Sequence, residues 1–255
     1  LMVCTRKAKI PPTISMEMTV GHLIDEITRI FPDREAIVVD NIRKTYKEYL
    51  EDIDRLSAGL LEIGIQQEDH CSIWAQNIYE WAIAWFALAK VGARLIPLDH
   101  WYKKDEVGFI LDHAAVKTVI CTSNYLPVLQ ELKEEGNDSL RTIIFMDDEI
   151  PEKDLPQDGL FKFHYISNFL KKPLTDEIRK KIKDRLDLTK PDDVTFILYT
   201  SGTTGTPKGA MLTHKNIIGD MIAIIVNLTS DENDIYMIPV PFSHCFGCEL
   251  GITMA

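Results

Sequence analysis

Apolar residues after Thr19 recur at helical spacing, at Val20, Leu23, Ile24, Ile27, Ile30 and Phe31. The spacing predicts a helix capped by Thr19 and stopped by Pro32. Two short runs, Glu35 to Asp40 and Ile42 to Thr45, meet at Asp40-Asn41 and predict a hairpin. Thr45 and Glu48 then form a T-x-x-E capping box. The helix it opens buries Leu50, Ile53, Leu56 and Leu60 and ends at Gly64.

Strand and helix patterns alternate from there. Strands are predicted at Cys71 to Ala75, Arg94 to Leu98, Lys117 to Thr122 and Thr142 to Met146, and helices at Tyr79 to Val91, Lys103 to His113 and Ser123 to Glu135. Trp81, Trp85 and Leu88 share one helix face, which reads as core. The acidic stretch Asp147 to Asp158, with Pro151 and Pro156, is a surface loop. A charged helix, Thr175 to Leu186, turns Ile178, Ile182 and Leu186 inward. Three more elements follow: a buried strand at Val194 to Leu198, a return strand at Gly209 to Leu212, and a helix capped by Thr213 that carries Ile217 to Leu228. A last strand is expected at Ile235 to Val240. The alternation predicts a layered α/β fold with mostly parallel sheets and right-handed crossovers. Residues 1–18 read as an arm lying over this domain.

Composition narrows the function classes. The chain has 255 residues, 45% hydrophobic and 26% charged, as an ordinary globular protein does. A net charge of −11 argues against nucleic acid as a partner, because a phosphate backbone needs a basic face. No apolar run approaches the roughly 20 residues of a membrane-spanning helix. Five scattered cysteines, at 4, 71, 121, 245 and 248, suit a reducing cytoplasm better than a disulfide framework. Cys245 and Cys248 have metal or redox spacing, but a zinc site needs two more ligands and no second pair is present. Core cysteines and no metal site are therefore expected.

The chemistry is concentrated in Thr200-Ser201-Gly202-Thr203-Thr204-Gly205-Thr206-Pro207-Lys208-Gly209. Hydroxyls and backbone amides freed by glycine converge well on phosphate oxygens, and Lys208 adds a point charge. An ordinary P-loop is excluded. Pro207 stands where that motif needs its second glycine, and Gly209 stands where it needs a hydroxyl. A plain Ser/Thr/Gly turn is the bland alternative. The hydroxyl density, the Pro-Lys-Gly ending and the strand before it favour a polyphosphate cradle.

This stretch resembles the phosphate loop of the adenylate-forming, AMP-binding enzymes, a superfamily that includes the acyl-CoA synthetases. Thr45 to Leu50, Ala89 to Ala93 with Pro97 to Asp99, and Pro239 to Gly247 resemble further motifs of that family. The resemblance runs from about Thr19 to the last residue. It implies the incomplete N-terminal domain of an acyl-CoA synthetase-like fold, in which residues 19–255 are the first part of the adenylation domain. Later family motifs and the mobile C-terminal lid are not found in the chain, which stops inside an apolar segment.

The implied activity is ATP-dependent conversion of a carboxylic acid to an acyl-adenylate, with pyrophosphate leaving, and then transfer to CoA. Thr200, Ser201, Gly202, Thr203, Thr204, Gly205, Thr206 and Lys208 would hold the phosphates, and Mg²⁺ is expected to bridge phosphate oxygens. His244 is the second catalytic candidate beside Lys208. Phe242, His244, Cys245 and Phe246 are candidates for the acid site. Amino-acid-activating relatives usually place an aspartate in this motif. None occurs from Pro239 to Ala255, so a fatty or aryl acid is favoured. The alternatives are a nucleotide-binding or interaction module without chemistry, and an adenylation domain that loads a carrier protein. A homo-oligomer is compatible with either.

Overall fold

The computed structural model describes residues 8–200 and 207–253. Thr19 accepts a hydrogen bond from His22 N and opens helix α1 (Val20–Ile30). Strands β1 (Glu35–Val39) and β2 (Ile42–Thr45) form the expected antiparallel hairpin, a two-stranded sheet of its own. Thr45 and Glu48 close the capping box of α2 (Tyr46–Glu62).

A second sheet holds seven strands in the order β7-β6-β5-β3-β4-β8-β9. They are β3 (His70–Trp74), β4 (Arg94–Leu98), β5 (Thr118–Cys121), β6 (Thr142–Phe145), β7 (Lys162–Tyr165), β8 (Val194–Thr200) and β9 (Lys208–Thr213). All neighbours pair in parallel except β8 and β9, which are antiparallel. Side chains alternate across the sheet. Cys71, Ile73, Leu95, Ile120, Ile144 and Phe196 join one core, while Ile96, Leu98, Val119, Cys121, Ile143 and Phe145 join the other.

Helix α3 (Tyr79–Val91) lies in the first core, buried along all its length except Glu80. Gly92, at φ +73°, stops it in a left-handed conformation that a side chain rarely adopts. A helix apolar on all sides needs neighbours on all sides. The sheet, α1, α2 and α7 (Asp176–Leu186) supply them. Lys90 is 3% exposed, and its ammonium meets Asp54 at 2.7 Å and Asp25 at 2.5 Å. Arg179 reaches Asp54 from α7 at 3.1 Å, so one ion cluster ties four helices together. The second core is covered by α4 (Lys104–His113) and α5 (Leu126–Glu134).

Four details differ from the sequence reading. The run 235–240 is in no ladder among the described residues, although its exposure alternates as in a half-buried strand. Strand β7 and the short helix α6 (Ile166–Leu170) carry no strong pattern and were not expected. A 3₁₀ turn, Ser123–Tyr125, precedes α5, because Pro127 fits only the first turn of a helix. Strand β9 starts at Lys208 rather than Gly209. The last elements are α8 (His214–Leu228) and a π-helical turn at Phe246–Ile252. Among the described residues no helix is long and apolar enough to cross a membrane.

Candidate active site

Helix α3 leaves β3 for one face of the sheet, and α4 leaves β4 for the other. A crevice opens outside strand ends where successive connections diverge in this way. Strand β4 pairs with β8 at Leu95 and Phe196 only. Beyond that pair Pro97 has no N–H to extend the ladder. The carboxyl ends of β4 and β8 therefore border a cleft of about 280 Å³. It is lined by Pro97, Asp99 and Tyr102 at and after the end of β4, by Leu198, Tyr199 and Thr200 of β8, and by Ser243 and His244.

The phosphate-type stretch begins at the end of β8 and finishes at the start of β9. Thr200 and Lys208 are direct cross-strand partners, as are Tyr199 and Gly209. Both Thr200 and Lys208 are exposed. The other expected phosphate contacts, Ser201, Gly202, Thr203, Thr204, Gly205 and Thr206, lie outside the described residues. Tyr199 is anchored by a 2.6 Å hydrogen bond between its hydroxyl and His113 Nδ1. Burial pushes that hydroxyl's pKa up.

His244 reaches the cleft on a short, tightly turned segment. Its N–H donates to Pro241 O at 3.1 Å, and Cys248 N donates to His244 O at 3.0 Å. Gly247 makes the turn possible, since a Cβ there would lie 2.1 Å from Pro241 O. The Nδ1 atom of His244 accepts from Phe246 N at 3.2 Å, so the neutral ring carries its proton on Nε2. In that tautomer Nε2 is the N–H donor of the ring.

The remaining candidates separate from this group. Phe242 is 5% exposed, packs on the Trp81 ring at 5.6 Å and lines a different, apolar cavity. That cavity measures about 1060 Å³ and lies between α1, the hairpin, α8 and the 230–238 run. Cys245 and Phe246 are not on the cleft wall; Cys245 is partly buried and Phe246 is half exposed. Of the other cysteines, Cys71, Cys121 and Cys248 are buried, as core residues are. His214, read as helix-start structure, accepts from Val20 N at 3.2 Å and is pushed down to about 4 by burial. Among the described residues no three His, Cys, Asp or Glu side chains are grouped to hold a metal.

The AMP-binding enzyme family model matches residues 24–255. The chain belongs to the AMP-binding enzyme family. It is 35% identical over 253 residues to a Bacillus subtilis protein provisionally named acyl-CoA synthetase YngI, covering 92% of this chain and 44% of that one. It is 32% identical over 254 residues to the mitochondrial medium-chain acyl-CoA ligase ACSF2 of Danio rerio, covering 90% and 39%. Its fold is that of a protein from Rhodopseudomonas palustris provisionally named long-chain-fatty-acid CoA ligase, with a TM-score of 0.75, 22% identity and coverage of 93% and 55%. The chain therefore spans about two fifths of the length of the curated relatives it matches.

Within this AMP-binding fold, two residues hold the His244 segment in a way the sequence did not mark, although Asp99 ends the Pro97 to Asp99 motif. Asp99 and Asn77 are single polar residues at strand ends, and only the topology brings them to the His244 segment. Asp99 Oδ2 lies 3.4 Å from Ser243 Oγ. Asp99 Oδ1 accepts from Trp101 N at 2.9 Å.

Proposed function

We propose that the full-length polypeptide carrying this chain is an acid–CoA ligase of the AMP-forming type. A carboxylate oxygen attacks the α-phosphorus of ATP, the bond to the β-phosphate oxygen breaks, and pyrophosphate leaves. The CoA thiol then attacks the acyl carbon, and AMP leaves with the bonding electrons. The observation that carries the reading is the cleft between β4 and β8. Thr200, whose cross-strand partner is Lys208, and His244 both line it.

The residues have separate tasks in this scheme. Thr200, the Ser201 to Thr206 hydroxyls and amides, and Lys208 stabilise charge on the departing phosphates. The Nε2–H of His244 donates to the carboxylate or an α-phosphate oxygen and holds the two reactants in line. The described residues offer no metal cage, so no step is assigned to Mg²⁺ through them; a magnesium ion would arrive on the nucleotide's own oxygens. The names of the relatives support CoA as acceptor and an acyl group as cargo. The absence of an aspartate from Pro239 to Ala255 supports a plain carboxylic acid; of the four acid-site candidates, His244 is the one that lines the cleft. Residues 19–255 are assigned to the first part of the adenylation domain, and the cytoplasm is the proposed location.

The test is ATP–pyrophosphate exchange by the full-length polypeptide with a panel of fatty and aryl acids. Lys208→Ala and Gly205→Val are expected to lower exchange about 10²- to 10³-fold, the usual cost of one preorganised electrostatic contact, with unchanged circular dichroism. Exchange at the parental rate in both variants would sink the phosphate assignment.

A further inference from the structure

We infer that Asn77 is a positioning residue for the acid-activation step, acting through the segment that carries His244; this rests on the function proposed above. Asn77 lies just beyond β3, before α3 begins. Its Nδ2 donates to Val240 O at 2.8 Å, and its Oδ1 accepts from Phe242 N at 2.7 Å. The two backbone groups flank Pro241, which has no N–H of its own. One side-chain amide thus does for this segment what a neighbouring strand would do. The amide orientation is fixed by the pairing, because a flipped amide would set N–H against N–H and oxygen against oxygen.

The clamp matters because little else registers the segment from its upstream side. Residues 235–240 belong to no ladder among the described residues. Downstream, the geometry follows from where Asn77 puts Pro241 and Phe242. Pro241 O receives His244 N, and the Phe242 ring settles on Trp81. Asp99, at the end of β4, adds a longer contact to Ser243 at 3.4 Å. The ends of β3 and β4 therefore hold the two sides of the segment, and Asn77 supplies the shorter, two-point hold. Misplacing a reacting group by about 1 Å commonly costs on the order of 10² in rate.

The experiment compares the full-length polypeptide with Asn77→Ala and Asn77→Asp. The Asp variant keeps the shape and the acceptor but sets a carboxylate against the Val240 carbonyl. Both variants are expected to lower kcat for acyl-adenylate formation by about 10- to 100-fold. KM for ATP should stay within about twofold, because the hairpin is untouched. Hydrogen exchange at Phe242 to Phe246 should accelerate in both, while β3 and α3 keep their protection. Asn77→Asp should be the milder variant in exchange at Phe242, whose acceptor it retains. Unchanged exchange at Phe242 in Asn77→Ala overturns the inference. So does faster exchange spread through β3 and α3, which would make Asn77 a general structural residue. If the parental enzyme activates no acid while Phe242 still loses protection in the variants, the proposed function fails and the clamp stands.

Discussion

Helix α3 and the 235–240 run are both mostly apolar and are packed in opposite ways. Every residue of α3 except Glu80 is buried, and its one ammonium is met by two carboxylates. In the other region Ile235 is 95% exposed, Met237 is 88% exposed, and a cavity of about 1060 Å³ lies alongside. The difference is one of partners. Helix α3 finds its neighbours in α1, α2, α7 and the sheet. The 235–240 run has the alternation of a strand and no strand beside it among the described residues. Apolar pattern alone sets which side chains share a face; burial needs a second surface to meet that face.

The sharpest way to break the comparison is to disturb the ion cluster. Asp54→Ala leaves Lys90 short of its buried partner and frees Arg179, and is expected to cost about 3–5 kcal/mol in denaturant unfolding. A loss below about 1 kcal/mol would mean that α3 is less tightly held than its burial implies.

His214 ties the start of α8 to the start of α1. Burial holds its pKa at about 4, against 6.5 for the free side chain. The folded state therefore binds fewer protons than the unfolded chain between those values. The contribution is fully present above pH 6.5 and is lost as the pH falls towards 4, roughly 3 kcal/mol in all. Unfolding midpoints measured from pH 7.5 to 4.5 should fall accordingly, and His214→Phe should flatten the part of that slope above pH 5. An equal slope in the variant would remove His214 from the account.

The smallest effect is expected at the exposed run. Ile235→Lys should change stability by no more than about 0.5 kcal/mol, because the side chain gives up almost no burial. A larger destabilisation in the full-length polypeptide than in the 255-residue chain would reveal a surface that covers this run.

Much of the fold was legible because its signals are local. Thr45 and Glu48 announce a helix start within four residues, and Asp40-Asn41 announces a turn. The tryptophans of α3 were rightly read as core. The 235–240 run was read correctly in pattern but not in pairing, since pairing depends on a partner the pattern does not contain. Strand β7 escaped because Lys162-Phe163-His164-Tyr165 is four residues long and half polar. The stretch from Thr200 to Gly209 stood out because hydroxyls and glycines are dense there, and His244 because it sits in the Pro239 to Gly247 motif. Asn77 did not, because it is a single residue whose partner lies 163 positions away, and Asp99 was legible as the end of the Pro97 to Asp99 motif but not as a partner of Ser243.

The single Leu95–Phe196 bridge between β4 and β8 also bears on how the chain assembles. Strands β8 and β9 close only their own turn, a step that hairpins complete in about 1–10 μs. Bringing Phe196 to Leu95 closes a loop of about a hundred residues, for which the chain must surrender far more freedom before any contact rewards it. The hairpin is therefore expected to form early and dock late. The two halves of the cleft would meet only at that docking, so a folding intermediate with an intact hairpin would still lack the proposed nucleotide site.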